Sequence, residues 1–312
     1  MEIGLMIEGQ NGLDWARWQA LLEAAERLGY QCVFRSDHFT NPAPPDLDSL
    51  ELWTSLTWAA SQTSRIEFGP LVSPVTFRHP SMTVRVASAI DDLSGGRLVL
   101  GLGAGWQDRE HRLFGIAFHD FKTRFEMLAD ALEITTRLYE SDDPVSYQGK
   151  HFSLDGATLL PRPKRRTPIL IGGNGPKRTL PLAARYASEW NAVYCNLDLY
   201  RERMAQLDAL AKASGRDPGS IKRSLMTTVR WCKDDAAVTQ LLDQVSQRFK
   251  RAATVDDLPA LGFFAGTTDR VIEQLRAFEA AGCERVMLQL PDNGDLATVE
   301  LWAAEILGEF NA

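Results

Sequence analysis

Short apolar runs alternate with longer amphipathic stretches along this chain. Ile3–Ile7 is the first apolar run. From Leu13 to Leu28, the residues Trp15, Trp18, Leu21, Leu22, Ala25 and Leu28 recur at helical spacing, and Gly29 supplies a stop. Cys32–Phe34 is a second strand, running directly into Ser36-Asp37-His38. Further strands are predicted at Ile66–Val72, Leu98–Leu102, Ile169–Ile171, Trp190–Tyr194, Ser224–Trp231 and Val286–Leu290. Helices are predicted over Leu52–Ala60, Pro80–Leu93, Phe125–Tyr139, Leu180–Ala187, Leu199–Ala213, 234–250, 268–281 and Ala297–Leu307.

Eight strands alternating with helices imply parallel pairing through right-handed crossovers. The strands are continuous Val/Ile/Leu runs rather than alternating ones, as when both faces of a sheet are covered. Eight units fit a closed (β/α)₈ TIM barrel, with residues 1–312 as one domain. The rhythm breaks at Ser141–Pro168, an insertion between the fourth helix and the fifth strand. Val145-Ser-Tyr147, Gly149 and His151–Leu154 read there as a hairpin. It is expected to be a lid near the site or a packing arm for a partner subunit. A second irregular zone, 250–266, ends apolar at Leu261, Phe263 and Phe264, and either covers a pocket or packs on the barrel.

Composition narrows the function. The chain has 312 residues, 45% apolar and 24% charged, with a formal charge of -7. That balance carries no basic footprint for nucleic acid or an anionic membrane. Cys32, Cys195, Cys232 and Cys283 form no CxxC pair, so zinc ribbons and thioredoxin-like motifs are not indicated. The start lacks a basic n-region and a long apolar core, and no run reaches the length of a membrane span. A cytoplasmic protein is expected.

Active sites of such barrels lie at the C-terminal strand ends. There stand Asp37 and His38 after strand two, and Arg78-His79-Pro80 beyond strand three. Gly103-Ala-Gly105-Trp106 and Arg109-Glu110-His111 follow strand four, and Gly172-Gly173-Asn174-Gly175 follow strand five. Asp37-His38 is an acid/base candidate, because histidine titrates near neutrality and a carboxylate can orient it. Gly172–Gly175 enter a helix, where backbone N–H groups and the helix dipole favour an anion, with Arg178 and Thr179 as further donors. A ligand-free tight turn is the alternative. Gly101-Leu-Gly103-Ala-Gly105-Trp106 is not a dinucleotide fingerprint, since Trp106 replaces the third glycine. Its glycines either leave room for a flat ligand or serve close packing. The histidines give no metal pattern.

These segments resemble the bacterial luciferase-like superfamily of flavin and deazaflavin oxidoreductases. The carrying residues are Ser36–Phe39, Gly69–Pro80, Leu93–Trp106 with Glu110 and Phe114-Gly115, and Pro168–Gly175 through Ala183–Ala187 to Trp190-Asn191. Within that superfamily the chain looks closest to the branch using coenzyme F420, an 8-hydroxy-5-deazaflavin. The resemblance implies a cofactor ring at the barrel mouth. Asp37 and His38 would lie beside it, with His38 handling the substrate proton. Pro70-Leu71-Val72 match a bulge that backs the ring, often through a non-proline cis peptide. Gly103, Gly105, Trp106 and Arg109 belong to the implied cofactor contacts, and Gly172, Gly173, Asn174, Gly175 and Thr179 to the phosphate grip. Trp106 stands where sugar-phosphate dehydrogenases of the family carry a glutamate, so an apolar carbonyl, enone or alcohol suits this chain better. The alternative is an FMN-dependent monooxygenase supplied by a partner flavin reductase. A deazaflavin storage protein and an unrelated phosphate-sugar isomerase are further alternatives. A small-molecule substrate and a homodimer complete the expectations, with no nucleic acid and no membrane partner.

Overall fold

The computed structural model describes residues 1–293 and 295–310. The strands are β1 (Glu2–Ile7), β2 (Cys32–Arg35), β3 (Glu67–Pro70), β4 (Leu100–Gly103), β5 (Ile169–Gly172), β6 (Glu189–Val193), β7 (Lys222–Thr227) and β8 (Arg285–Gln289). They pair in parallel in the order β3-β2-β1-β8-β7-β6-β5-β4. The two ends meet: Phe68 N–H donates to Arg97 O at 3.1 Å, and Val99 N–H to Phe68 O at 2.9 Å. The expected (β/α)₈ barrel is the observed architecture.

Its outer layer contains α1 (Trp15–Leu28), α2 (Leu52–Gln62), α3 (Pro80–Leu93), α4 (Asp108–Leu113), α5 (Phe121–Glu140), α6 (Thr179–Tyr186), α7 (Leu197–Ala213), α8 (Asp235–Phe249), α9 (Thr268–Ala280) and α10 (Leu296–Trp302). Asp14 caps α1 by accepting from Arg17 N at 2.8 Å, and Gly29, at φ 98°, ends it in the left-handed conformation. Asp120 caps α5 a turn before the predicted start. The sequence pattern missed α4, which is too short for a periodicity to show. The seventh strand ends at Thr227, earlier than expected. Val229–Trp231 instead pair with Phe264–Gly266 from the 250–266 zone, forming a separate two-stranded ribbon.

The insertion is a packing element of this chain. Its hairpin, Val145–Gln148 with Ser153–Ala157, lays Val145, Tyr147 and Leu154 against Val84 of α3 and Ile134 and Leu138 of α5. Asp130 of α5 accepts from Tyr147 Oη at 2.9 Å and from His151 N at 2.7 Å. None of its residues lines the cavity described below, so the lid expectation is corrected.

The N-terminal end of the barrel is filled by charge. Arg285 of β8, only 1% exposed, holds Glu2 of β1 at 2.5 Å, Glu189 of β6 at 3.0 Å and Glu67 of β3. The Glu67 contact crosses the interior, because β1 and β2 separate β8 from β3 around the ring. One guanidinium therefore ties four strands. Its fork geometry suits several carboxylates at once. Burial raises the Glu189 pKa, with Arg285 acting against that rise. Removing Arg285 leaves buried Glu189 without its directly paired cation, with only the more distant Lys222 acting on it. Arg285→Met is expected to lose about 3–5 kcal/mol at neutral pH in urea denaturation. Native Glu189 then binds its proton more tightly than the unfolded chain does. The deficit should accordingly shrink as pH falls.

Candidate active site

At the opposite end, the C-terminal strand ends enclose a cavity of about 620 Å³. Its shape begins with β3 and β4. Past Pro70 the chain bends, then Ser73 and Pro74 pair with Leu102 and Gly103. The Leu71–Val72 peptide is cis, and both residues line the cavity. A Cβ on Gly101 would lie 2.0 Å from Pro70 O, and one on Gly103 would lie 2.4 Å from Val72 Cγ2. These two glycines therefore serve close strand packing, and that packing lets the bend form the cavity wall. Gly105, at φ 76°, turns the chain so that Trp106 stands at the mouth, 61% exposed.

His38 lines the cavity. Its Nδ1 meets Glu110 Oε1 at 2.9 Å, and the other Glu110 oxygen accepts from Phe39 N at 2.9 Å. Glu110, 1% exposed, projects from the short helix α4. Ser49 Oγ holds the His38 carbonyl at 2.6 Å, and the Trp106 ring meets the imidazole edge-on at 5.4 Å. Burial disfavours the imidazolium. The hydrogen bond and charge of Glu110 outweigh it, Glu8 and Asp37 add to the effect, and His38 lies above the usual histidine range. Nδ1 is occupied, so Nε2 is the ring nitrogen left to serve a bound molecule.

Asp37 is not the carboxylate that holds His38. It is buried, accepts from Ser73 Oγ at 2.7 Å and pairs with Arg78 at 2.5 Å. Consecutive side chains leaving a strand point to opposite sides, so Asp37 faces the β3 bend while His38 faces the mouth.

A model of the luciferase-like monooxygenase family matches residues 1–285. The F420-dependent glucose-6-phosphate dehydrogenase of Kineococcus radiotolerans is 30% identical over 221 residues, 68% of this chain and 63% of that relative. The chain thus spans less than two thirds of that relative's length. Among solved structures, an F420-dependent secondary alcohol dehydrogenase in complex with an F420-acetone adduct superposes with a TM-score of 0.80 at 21% identity, covering 98% of each chain. A long-chain alkane monooxygenase also reaches 0.80, at 15% identity, over 100% of this chain and 91% of its own. The chain belongs to the luciferase-like monooxygenase family.

Against this family frame, the residues singled out from sequence fall into two groups. His38, Leu71, Val72, Gly103 and Gly105 come together around the cavity with Trp106, Gly172 and Gly173. Asp37, Pro70, Arg109, Asn174, Gly175 and Thr179 do not line it. Arg109 pairs with Asp46 at 2.6 Å and with Asn41 O at 2.9 Å, pinning the 40–50 loop. The Asn174 side chain is stitched to β6, donating to Val193 O at 2.6 Å and accepting from Val193 N at 2.9 Å. Gly175 and Thr179 pack on each other at the start of α6. Among the described residues no group of three or more His, Cys, Asp or Glu is placed to hold a metal ion, and no helix is long and apolar enough to cross a membrane.

The cavity also contains Glu8, Gln10 and Gln289, which sequence reasoning missed, and Asn191 and Tyr194, which it placed in a matching segment and at the end of the sixth strand without giving them a site role. The signal for two of them was present. Glu8 and Gln289 stand at the ends of β1 and β8, where the strand-end rule applies as it does to the other strands. The Glu110–His38 pairing yields a measurable expectation. Glu110→Gln removes the charge that raises the imidazole pKa. An NMR titration of the His38 ring should show its pKa fall in the variant, toward or below the usual histidine value.

Proposed function

We propose that the protein is an F420-dependent oxidoreductase acting on a small, largely apolar alcohol, carbonyl or enone. What carries the reading is His38, anchored through Nδ1 by a buried carboxylate and facing a cavity whose apolar walls include Leu71, Val72, Trp106 and Met226. The fit to a flat heterocycle rests on these apolar walls and on one orphaned polar atom. Asn191 is fully buried, yet its Oδ1 has no partner, while its Nδ2 donates to Ser224 Oγ at 3.0 Å. A buried acceptor left open toward a cavity suits an N–H of a bound ring. Gly172 and Gly173 with Gly175 and Thr179, entering α6, would hold the cofactor phosphate.

When bound, the deazaflavin supplies the ring carbon that takes or gives the hydride. The chain's part is the proton. In alcohol oxidation, His38 Nε2 accepts the hydroxyl proton as the carbon–hydrogen bond gives up its electron pair. In carbonyl reduction, the same nitrogen returns it. Glu110 steadies the charged imidazolium and fixes the ring's direction. Trp106 shields the imidazole from water on one side.

The relatives named for F420 support this reading, and the alkane monooxygenase likeness supports the second one, an FMN-dependent monooxygenase with a partner reductase. A fluorescence titration with F420 and with FMN, oxidised and reduced, separates them. Selective F420 binding is the expected result, and selective binding of reduced FMN overturns it. With F420 and a turned-over alcohol, His38→Asn should lower kcat by about 10²–10⁴-fold while F420 binding persists. Retained turnover removes His38 from the chemistry.

A homodimer belongs to the same proposal. Trp15 and Leu93, 40% and 54% exposed, frame with Trp58 an apolar patch across α1, α2 and α3. Sedimentation at micromolar concentration is expected to give twice the chain mass, and Trp15→Glu to give the monomer.

A further inference from the structure

One wall of the cavity is built around a carboxylate. Gln289 Nε2 donates to Glu8 Oε1 at 2.5 Å, and Gln10 Nε2 donates to Glu8 Oε2 at 2.8 Å. Each amide has a hydroxyl as its outer partner. Ser36 Oγ accepts the Gly9 N–H at 2.9 Å and donates to Gln10 Oε1 at 2.8 Å. That leaves the Gln10 amino group for Glu8. The Tyr194 hydroxyl donates to Gln289 Oε1, which leaves the second amino group for Glu8 in the same way. Burial and the charge of Glu8 push the Tyr194 hydroxyl up to about 12, so it remains a donor. Both Glu8 oxygens are thus held as acceptors.

The guanidinium nearest in the fold, Arg35 against Gly9, donates to Ser55 Oγ and Leu50 O, not to Glu8. Among the described residues, no Lys or Arg pairs with Glu8, and none lines the cavity. The cations near the rim are engaged elsewhere or stand outside it. Arg178 lies over the Phe121 and Phe125 rings at 5.5 and 5.8 Å, and Arg230 is exposed beyond Tyr194. The imidazole across the cavity is backed by a second carboxylate, Glu110. Two amide donors satisfy hydrogen bonds but do not neutralise a charge. A hydroxyl would add one more neutral bond, whereas an ammonium adds a charge-assisted bond and compensates the anion. An anionic substrate would be repelled.

We propose that Glu8 is the specificity determinant of this cavity, and that the alcohol or carbonyl compound it takes also carries an amine: its ammonium is seated on Glu8 and its apolar body lies against Trp106, Leu71 and Val72. The inference rests on the oxidoreductase reading for calling that molecule a substrate. The charge selection itself does not depend on it.

The test compares three matched probes: cyclohexylammonium, cyclohexanol and cyclohexanecarboxylate. Binding is measured by calorimetry on the full chain at neutral pH, with and without saturating F420. In the native protein the ammonium should bind about tenfold or more tighter than the alcohol, with the carboxylate weakest. In Glu8→Gln that preference should collapse while cyclohexanol affinity stays within about threefold of native. Circular dichroism checks that the variant is folded, and the native ranking stands as a test without it. Equal or tighter binding of the alcohol or the carboxylate overturns the proposal. So does an ammonium preference that survives Glu8→Gln, or no detectable ammonium binding. Ammonium selectivity without any F420 binding removes the oxidoreductase reading but keeps the charge selection. F420 binding without ammonium selectivity does the reverse.

Discussion

The approach of β3 to β4 is the constraint from which both the barrel and its site follow. Strands in a sheet normally keep room for side chains on each face. Here the β3 backbone and Val72 occupy the positions where side chains of residues 101 and 103 would stand. Gly69 is under the same pressure, because its Cβ would lie 2.0 Å from Val99 O. With three glycines at this seam, the ring closes through Phe68 and Leu98, and the chain past Pro70 leans inward. That lean puts Leu71 and Val72 into the mouth. It also brings Ser73 within reach of Asp37. A larger residue at the seam would push the strands apart and move the wall of the site with them.

Two carboxylates near His38 divide the work between framework and chemistry. Asp37 bridges the end of β2 to the segment after β3 through Ser73 and Arg78. It keeps the histidine's backbone in place without touching the ring. Glu110 takes the imidazole itself and the neighbouring backbone N–H. Its own burial makes this effective. A carboxylate on the surface would be screened, while one enclosed at the base of α4 acts through a low dielectric. The raised proton affinity of His38 follows chiefly from that placement, with Glu8 and its neighbour Asp37 adding to it.

The legible parts of the fold were those with local signals. Strands covered on both faces are continuous apolar runs, helices show their period, and glycines mark the ends, so the barrel could be read directly. The strand-end rule then located His38 and both glycine turns, and the family resemblance pointed to the β3 bend. Pairings between residues distant in sequence were not legible. His38 and Glu110 lie 72 positions apart, and no pattern in either segment announces the contact. Asp37 looked like the partner because adjacency is visible and side-chain direction is not. Arg109 and Asn174 have the right chemistry for ligand contacts, yet the fold spends their donors on Asp46 and on β6. The hairpin's role was hidden for a similar reason. Asp130, which clamps it, sits in an ordinary amphipathic helix.

The two ends of the barrel present the same problem and resolve it differently. At the N-terminal end, Glu2, Glu67 and Glu189 converge on a residue the chain itself supplies, Arg285. At the mouth, Glu8 is held with comparable care by two glutamines that are hydrogen-bonded in turn to a serine and a tyrosine, but among the described residues no Lys or Arg pairs with it. A carboxylate needed only to hold these strands together would be better served by an arginine, as β8 shows at its other end. Leaving it without one maintains a standing demand for positive charge. That demand acts on the two things that enter the cavity. It raises the proton affinity of His38, which feels Glu8 as well as Glu110, and it rewards a cation on the bound molecule. The proton and the substrate are thus selected by one field, set by residues at the ends of β1 and β8 that touch neither the imidazole nor the β3 bend.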